Sequence, residues 1–159
     1  MSDRDAALFF AVFNEIGILA QLSAALFEQR LPAGFLVSHF AVLNGLVRVR
    51  DGRTPLALAR AYQVPKTTMT HTLAGLERAG LVRMAPNPQD GRSKRVWITD
   101  AGRAFRDQSI ALLAPDLAGL AAQLPANRLA PVLPVLADLR AVLDALRDDP
   151  PAGAPANGS

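Results

Sequence analysis

The chain has 159 residues, half of them apolar and 19% charged, which is enough apolar material for a packed domain and excludes general disorder. It contains no cysteine, which excludes disulfides, thiolate metal sites, cysteine nucleophiles and thiol-based redox sensing. His39 and His71 are its only histidines, so we expect no metal site.

Basic residues are concentrated in the middle of the chain. Residues 48–106 hold twelve of the seventeen basic residues but four of the fourteen acidic ones, a net charge of +8, whereas the remainder carries −5. A basic centre between acidic, leucine-rich ends favours a module that binds a polyanion.

The N-terminal segment predicts one long helix from Asp5 to Arg30, with an acidic start and a basic end. Its apolar residues cover most of the circumference, so we expect burial against a partner chain or, alternatively, within an intramolecular bundle. Asn14, Glu15 and Gln21 interrupt the apolar stretch, and no basic segment precedes it. We therefore expect neither a membrane helix nor a signal peptide, and a cytoplasmic protein.

The next segments predict a second helix over 35–47, a basic loop over 48–54 and then a helix-turn-helix. The first helix of that motif begins at Thr54-Pro55, a capping hydroxyl followed by proline, and ends near Tyr62. After a turn over 63–65, the second helix covers 66–79. Its core residues are spaced at Met69, Leu73 and Leu76, and Gly80 stops it.

After Gly80 the spacing of apolar residues changes from the helical period to the alternation that is typical of strands. Residues 81–85 and 95–98 predict two strands, and the intervening 86–94 has the composition of a turn, so we expect a β-hairpin with a long basic tip and Trp97 as its anchor. Thr99 is expected to cap a further helix reaching about Gln123, which Pro115 should kink or interrupt.

The last predicted helix, over 128–147, has leucine and valine at alternating spacings of three and four, which indicates a seam for another helix. The final residues, 149–159, have the composition of a disordered tail.

Residues 76–102 resemble one known group, the MarR (multiple antibiotic resistance regulator) family of bacterial transcription factors. The similarity runs without a gap from Leu76-Glu77-Arg78-Ala79-Gly80-Leu81-Val82 through the Asp90-Gly91-Arg92 motif to Ile98-Thr99. The order of elements is similar over 5–147. The sequence departs from the family at Met84 and His71, where basic residues are common.

The resemblance implies a mostly α fold with a small β-hairpin wing (α+β), a winged helix-turn-helix with N- and C-terminal dimerisation helices. The expected division is a dimerisation helix in 1–34, a winged helix-turn-helix DNA-binding region in 35–104, C-terminal dimerisation helices in 105–148 and the tail.

In such a fold, helix 66–79 is expected to enter the major groove of duplex DNA, and the wing, 86–95, the minor groove. The residues expected to contact DNA are Lys66, Thr67, Thr70, His71, Arg78, Arg92, Lys94 and Arg95. Asp90 is expected to organise the wing. A two-fold homodimer implies a double-stranded DNA operator with an inverted repeat.

Members of the family bind small aromatic or phenolic acids between their dimerisation helices and the winged helix. The resemblance therefore implies a ligand site formed by Phe35, His39, Phe40 and Arg48, and a repressor relieved by a small aromatic or lipophilic ligand. The alternative is that Phe35, His39 and Phe40 are ordinary core residues.

The sequence shows no nucleophile with a base, no paired carboxylates and no phosphate-binding loop, so we expect no catalytic residue, no cofactor and no enzyme. The leading hypothesis is a dimeric DNA-binding transcriptional regulator. The alternative is a winged-helix module that binds protein or RNA without sequence-specific DNA regulation.

Overall fold

A computed structural model describes residues 2–148. In this part of the chain the elements are α1 (Asp3–Glu28), α2 (Val37–Arg48), α3 (Pro55–Ala61), α4 (Lys66–Arg78), β1 (Val82–Asn87), β2 (Asp90–Ile98), α5 (Asp100–Leu112), α6 (Ala114–Gln123), α7 (Ala126–Leu129) and α8 (Val132–Asp148). The chain divides into two compact units, one extending to Ala114 and the other beginning at Pro115. Residues 2–148 are mostly helical with a single small hairpin, as the sequence predicted.

Helix α1 begins earlier than predicted because Ser2 caps it. The Ser2 hydroxyl accepts a hydrogen bond from the backbone N–H of Asp5 at 3.2 Å, and the Asp5 carboxylate accepts one from the Ser2 N–H at 3.2 Å. The helix ends at Glu28, so Arg30 lies beyond it and the predicted basic end was wrong.

Apolar side chains of α1 are largely exposed in the single chain, with Phe10 74% and Leu8 63% accessible. Within residues 2–148, α1 is the one helix long and apolar enough to cross a membrane by length and composition. Helices of soluble proteins also meet these two criteria, so the expected absence of a membrane helix stays a prediction.

The end of α1 is joined to the start of α2. The Glu28 carboxylate accepts a hydrogen bond from the Val37 N–H at 2.9 Å, and the rings of Phe27 and Phe40 meet edge to face at 4.4 Å. The Leu36 N–H donates to His39 Nδ1 at 3.0 Å, which satisfies a free donor at the helix start. Helix α2 thus begins two residues later than predicted.

Helices α3 and α4 form the predicted helix-turn-helix. Thr54 caps α3 by accepting from the Ala57 N–H at 3.2 Å, and Pro55 occupies its first position. Gly80 follows α4 with a φ of +72°, a conformation that glycine adopts readily. The core combines residues of α2, α3, α4 and the hairpin, namely Val42, Leu43, Leu46, Leu58, Ala59, Met69, Leu73, Leu76, Leu81, Val82, Val96 and Ile98.

Strands β1 and β2 form an antiparallel hairpin, which we call the wing. The pairing runs from Val82 opposite Ile98 to Pro86 opposite Lys94, and then jumps to Asn87 opposite Asp90. The predicted long turn over 86–94 was therefore wrong, because both strands continue and the turn itself is Pro88-Gln89. Residues 91–93 form a bulge between two paired segments.

A third extended segment joins the wing. The backbone of Arg53, in the predicted loop before α3, pairs with Val96, and the Val96 N–H donates to the Arg53 carbonyl at 2.8 Å. This pairing connects the helix-turn-helix to the base of the wing.

Thr99 caps α5 as predicted, accepting from the Gly102 N–H at 3.0 Å. Two donors of the Arg106 guanidinium reach the Asn44 side-chain oxygen at 3.2 and 3.0 Å, and so tie α5 to α2. Helix α5 ends at Leu112 and α6 begins at Ala114, one residue before Pro115, so the predicted interruption is confirmed.

In the second unit, a single helix over 128–147 was predicted, but the structure divides this segment into α7 and α8. Pro131 lies between them, where its missing N–H does not interrupt a helix interior. The apolar seam of α8 is exposed in the single chain, including Leu133 at 71%. The predicted tail, 149–159, lies outside the described residues.

Candidate nucleic-acid interface

Helix α4 separates a buried face from a polar one. Met69, Thr72, Leu73 and Leu76 are buried in the core. The five residues of α4 expected to contact DNA are all exposed: Lys66 at the start of the helix, and Thr67, Thr70, His71 and Arg78 along its outer side. A helix that presents such groups from a rigid core can reach base edges and phosphates.

Thr70 is partly engaged within its own helix. Its hydroxyl donates to the Lys66 carbonyl at 2.8 Å, so its oxygen remains an acceptor and its methyl group is available for apolar contact. The buried Thr72 does the same with the Thr68 carbonyl at 3.1 Å, and it faces the core instead.

The N-terminus of α4 is open to an anion. Pro65 precedes the helix and has no side-chain oxygen that could accept from the first-turn N–H groups. Lys66, the first helical residue, is exposed and adds a positive charge at the same end. Free N–H groups beside a cation suit a phosphate.

The bulge in the wing carries Arg92. Its backbone N–H donates to the Asp90 carboxylate at 3.1 Å, while Ser93 Oγ donates to the Asp90 carbonyl at 3.2 Å. Asp90 therefore holds the backbone of the bulge, and the exposed Arg92 side chain extends from a fixed position.

Arg95 is held by two side chains that sequence reasoning did not assign to the site. Its Nε donates to the Asn87 side-chain oxygen at 2.9 Å, and its guanidinium donates to Gln89 Oε1 at 2.8 Å. Asn87 is buried and also donates to Ser93 Oγ at 2.9 Å. Lys94, next to Arg95 on β2, is exposed.

Asp51 is a second positioning residue that the sequence analysis did not single out. It lies in the loop after α2, and its carboxylate accepts from the Gly52 N–H at 2.9 Å and from the Ile98 N–H at 3.1 Å. The Arg103 guanidinium of α5 lies 3.3 Å away. The sequence feature that could have identified Asp51 is its position as the one acidic residue in the basic loop 48–54.

Trp97 anchors the wing, as predicted. Its ring is half-buried over Gly52, whose φ of +68° and missing side chain allow the close approach. Arg83, on the paired strand, lies 5.7 Å from the ring centroid.

The residues expected to bind a ligand fall into separate groups. Phe35 contacts both His39, at 5.6 Å between centroids, and Phe105 of α5, at 4.5 Å. Phe40 instead packs on α1. Arg48 is exposed at the far end of α2, nine residues from His39 and thus about 13 Å along the helix axis.

His39 connects this aromatic group to α4. A side-chain carbon built on Gly75 of α4 would lie 3.0 Å from His39 Nε2, so the two helices approach closely at this point. Burial lowers the pKa of His39 below its usual 6.5, and the nearby His71 of α4 lowers it further.

These features define a winged helix-turn-helix with a polar recognition helix and a basic wing, the architecture of a class of nucleic-acid-binding proteins. Comparison with known proteins identifies the family. The MarR family model matches residues 33–93. The chain is 31% identical to the transcriptional regulator HosA of Escherichia coli O111:H- over 96 residues, which cover 60% of this chain and 70% of that protein.

Solved structures agree with this assignment. The apo form of MarR from E. coli is 27% identical, with a TM-score of 0.69 over 79% of this chain and 94% of that one. The transcriptional regulator PcaV from Streptomyces coelicolor, solved with its natural ligand, is 25% identical, with a TM-score of 0.63 over 82% of this chain and 89% of that one.

The chain belongs to the MarR family. It is a transcriptional regulator with the winged-helix fold and not an enzyme.

Proposed function

We propose that the protein is a homodimeric repressor that binds an inverted-repeat operator in duplex DNA and is released by a small aromatic or lipophilic ligand. The observation that carries this proposal is α4 itself, where Lys66 at the start of the helix and Thr67, Thr70, His71 and Arg78 along its outer side are exposed while the other face is buried in the core.

In this proposal α4 lies in the major groove, where threonine and histidine can contact base edges and Lys66 and Arg78 can contact phosphates. The wing reaches the adjacent minor groove with Arg92, whose backbone Asp90 fixes at 3.1 Å. A narrow, A·T-rich minor groove attracts such a cation. Lys94 and Arg95 contact the DNA backbone.

Dimerisation is supported by two sets of exposed apolar side chains. One set lies along α1 and includes Phe9, Phe10 and Phe13; the other lies along α8 and includes Leu133, Leu136 and Leu143. Exposed apolar patches larger than a few hundred Å² are rare on monomeric proteins. The terminal helices are therefore proposed as dimerisation elements, and the segment 35–104 as the DNA-binding region. DNA binding also implies a cytoplasmic location.

Ligand response is supported by the contact between α2 and α4. A ligand that displaced His39 beside Phe35 would press on α4 at Gly75, where His39 Nε2 lies only 3.0 Å from the position that a side-chain carbon would occupy. Such a shift would move the proposed recognition helix relative to the DNA. Phe40 and Arg48 would contribute from other parts of α2. PcaV, which is similar in fold, was solved with a natural ligand.

Selection of binding sites from a random pool of duplex DNA, at near-physiological salt, tests the proposal. We expect an inverted repeat with half-sites about one helical turn apart. Steep loss of affinity with salt but no recovered motif would contradict sequence-specific regulation. No retention of DNA would favour the alternative, a winged-helix module that binds protein or RNA.

Ligand relief is tested separately by adding small aromatic acids to the complex. Under this proposal, a ligand that binds the free protein lowers the protein's affinity for the selected operator. Thermodynamic linkage then requires that the operator lowers the protein's affinity for the ligand by the same factor. Equal ligand affinity with and without DNA would contradict the proposed relief.

A further inference from the structure

An open cleft of about 440 Å³ lies between the loop after α2 and the wing. It is lined by loop residues, the start of α3 and two wing residues, including Val49, Arg50, Arg53, Ala57, Gln89 and Arg95. Three arginine residues therefore border one cavity, and none of the described residues that line it is acidic.

The charges of these three arginines are not neutralised. Arg53 donates to the carbonyl of Ala57 at 3.1 Å, and Arg95 donates to the amide oxygens of Asn87 and Gln89 at 2.9 and 2.8 Å. All of these acceptors are uncharged. Within residues 2–148, no ion pair involves Arg50, Arg53 or Arg95.

The nearest acid in sequence is already engaged. Asp51 directs its carboxylate to the backbone of Gly52 and Ile98 and to Arg103. The cleft thus keeps its positive charge although a carboxylate lies next to Arg50 in the chain.

Hydrogen bonds to neutral oxygens orient two of the guanidinium groups and leave further N–H donors on each of them. A planar guanidinium has five donors and matches the oxygens of a phosphate two at a time. Preorganised donors of this kind lose little side-chain freedom when an anion binds.

We infer that this cleft is an oxyanion site that binds a phosphate group through Arg50, Arg53 and Arg95. The phosphate comes either from the DNA backbone beside the wing, in which case the inference rests on the proposed function, or from a free phosphate-bearing small molecule. Arg50 and Arg53 thereby extend the interface beyond the residues assigned from the sequence.

The first experiment follows the arginine Nε–H signals of the DNA-free protein by NMR while inorganic phosphate, and then phenyl phosphate, is added. Wild type should show saturable shifts at Arg50, Arg53 and Arg95. Arg50→Ala, at an exposed position, and Arg53→Gln, which keeps a donor for Ala57, should each weaken them. Arg128→Ala of α7 removes the same charge outside the cleft and should leave them unchanged.

The second experiment measures affinity for duplex DNA at several salt concentrations. If the phosphate belongs to DNA, Arg50→Ala and Arg53→Gln should each reduce the slope of log K against log salt by about one, and Arg128→Ala should not. If the natural ligand is a free phosphate compound, the slopes stay at the wild-type value while the NMR shifts are saturable.

The inference is overturned if phosphate produces no saturable shift and both cleft variants have the same salt slope as Arg128→Ala. Should wild type bind no duplex DNA, the proposed function fails, and the phosphate titration alone decides the cleft.

Discussion

The carboxylate of Asp51 accepts a hydrogen bond from the backbone N–H of Ile98, 47 residues further along the chain, at 3.1 Å. It accepts another from Gly52 and lies 3.3 Å from the Arg103 guanidinium. One side chain therefore connects the loop after α2, the end of β2 and α5. This connection helps to hold the wing in a fixed position.

Replacing Asp51 with alanine should lower the free energy of unfolding by about 1–3 kcal/mol, because the N–H of the buried Ile98 loses its acceptor. The half-exposed ion pair with Arg103 should contribute little. Urea denaturation measures the change. Asp107→Ala, which removes an exposed carboxylate paired with Arg106, is the matched control; equal losses in both variants would contradict the connecting role.

Replacing Gly52 with alanine should also destabilise the protein. The added carbon would lie 2.6 Å from the Trp97 ring, and the φ of +68° disfavours a side chain. We expect a loss of about 1–3 kcal/mol in thermal or urea unfolding, as for other overpacked sites. Gly91→Ala, where no atom lies within 4 Å, provides the control. An unchanged free energy of unfolding for Gly52→Ala would show that the Trp97 ring can move away from position 52 at no cost in stability.

Arg92→Ala should weaken operator binding by about 1–3 kcal/mol, because the minor groove loses a cation that the fixed bulge presents. The loss should be greater on sites with an A·T-rich segment under the wing. Fluorescence anisotropy on paired duplexes measures both effects, with Arg128→Ala as the control for charge. Wild-type affinity of the Arg92 variant would reject the proposed wing contact.

Leu136→Ala combined with Leu143→Ala should weaken the dimer without unfolding the chain, because both side chains are exposed in the single protomer, at 41% and 45%. Sedimentation over a dilution series measures the change. Ala141→Ser, on the opposite side of α8 by a 100° count, should leave association intact. A double variant that dimerises like wild type would exclude this seam as the interface.

Stability should fall as the pH drops below about 6.5, because the native state disfavours protonated His39 while the unfolded state takes up the proton at its ordinary pKa. Above that pH both states are neutral at this residue, and its contribution is fully present. His39→Asn should flatten the profile of unfolding free energy against pH below 6.5. His71→Gln removes the other histidine and should flatten it less; the reverse order would contradict the assignment.

Elements with strong local signals were predictable from the sequence. Thr54-Pro55 and Thr99 mark helix starts through their own capping hydroxyls, and Pro115 marks the break after α5. The core face of α4 follows from the spacing of Met69, Leu73 and Leu76. In each case, the deciding interactions lie within one or two helical turns.

The rest depends on contacts between distant segments. Pro86 and Asn87 have the composition of a turn, yet pairing with Lys94 and Asp90 holds them in a strand. Arg53 pairs with Val96, 43 positions away, in an isolated β-bridge. Because one residue forms this pairing, no alternation of polar and apolar residues in the sequence indicates it. The arginine cleft was missed for the same reason, since Arg50 and Arg95 meet only after the wing has folded back.

Because of the bulge over 91–93, the tip of the wing can change without a change in the strand register at its base. Its three residues have no backbone pairing partner on β1, so an exchange of Gly91 or Arg92 leaves the pairing of Val82 with Ile98 unchanged, whereas Ser93 accepts a hydrogen bond from the buried Asn87. The fold can therefore accept new side chains at the tip without repacking Val96 or Ile98 in the core. Side chains at positions 91 and 92 can therefore change at little expense to the stability of the fold.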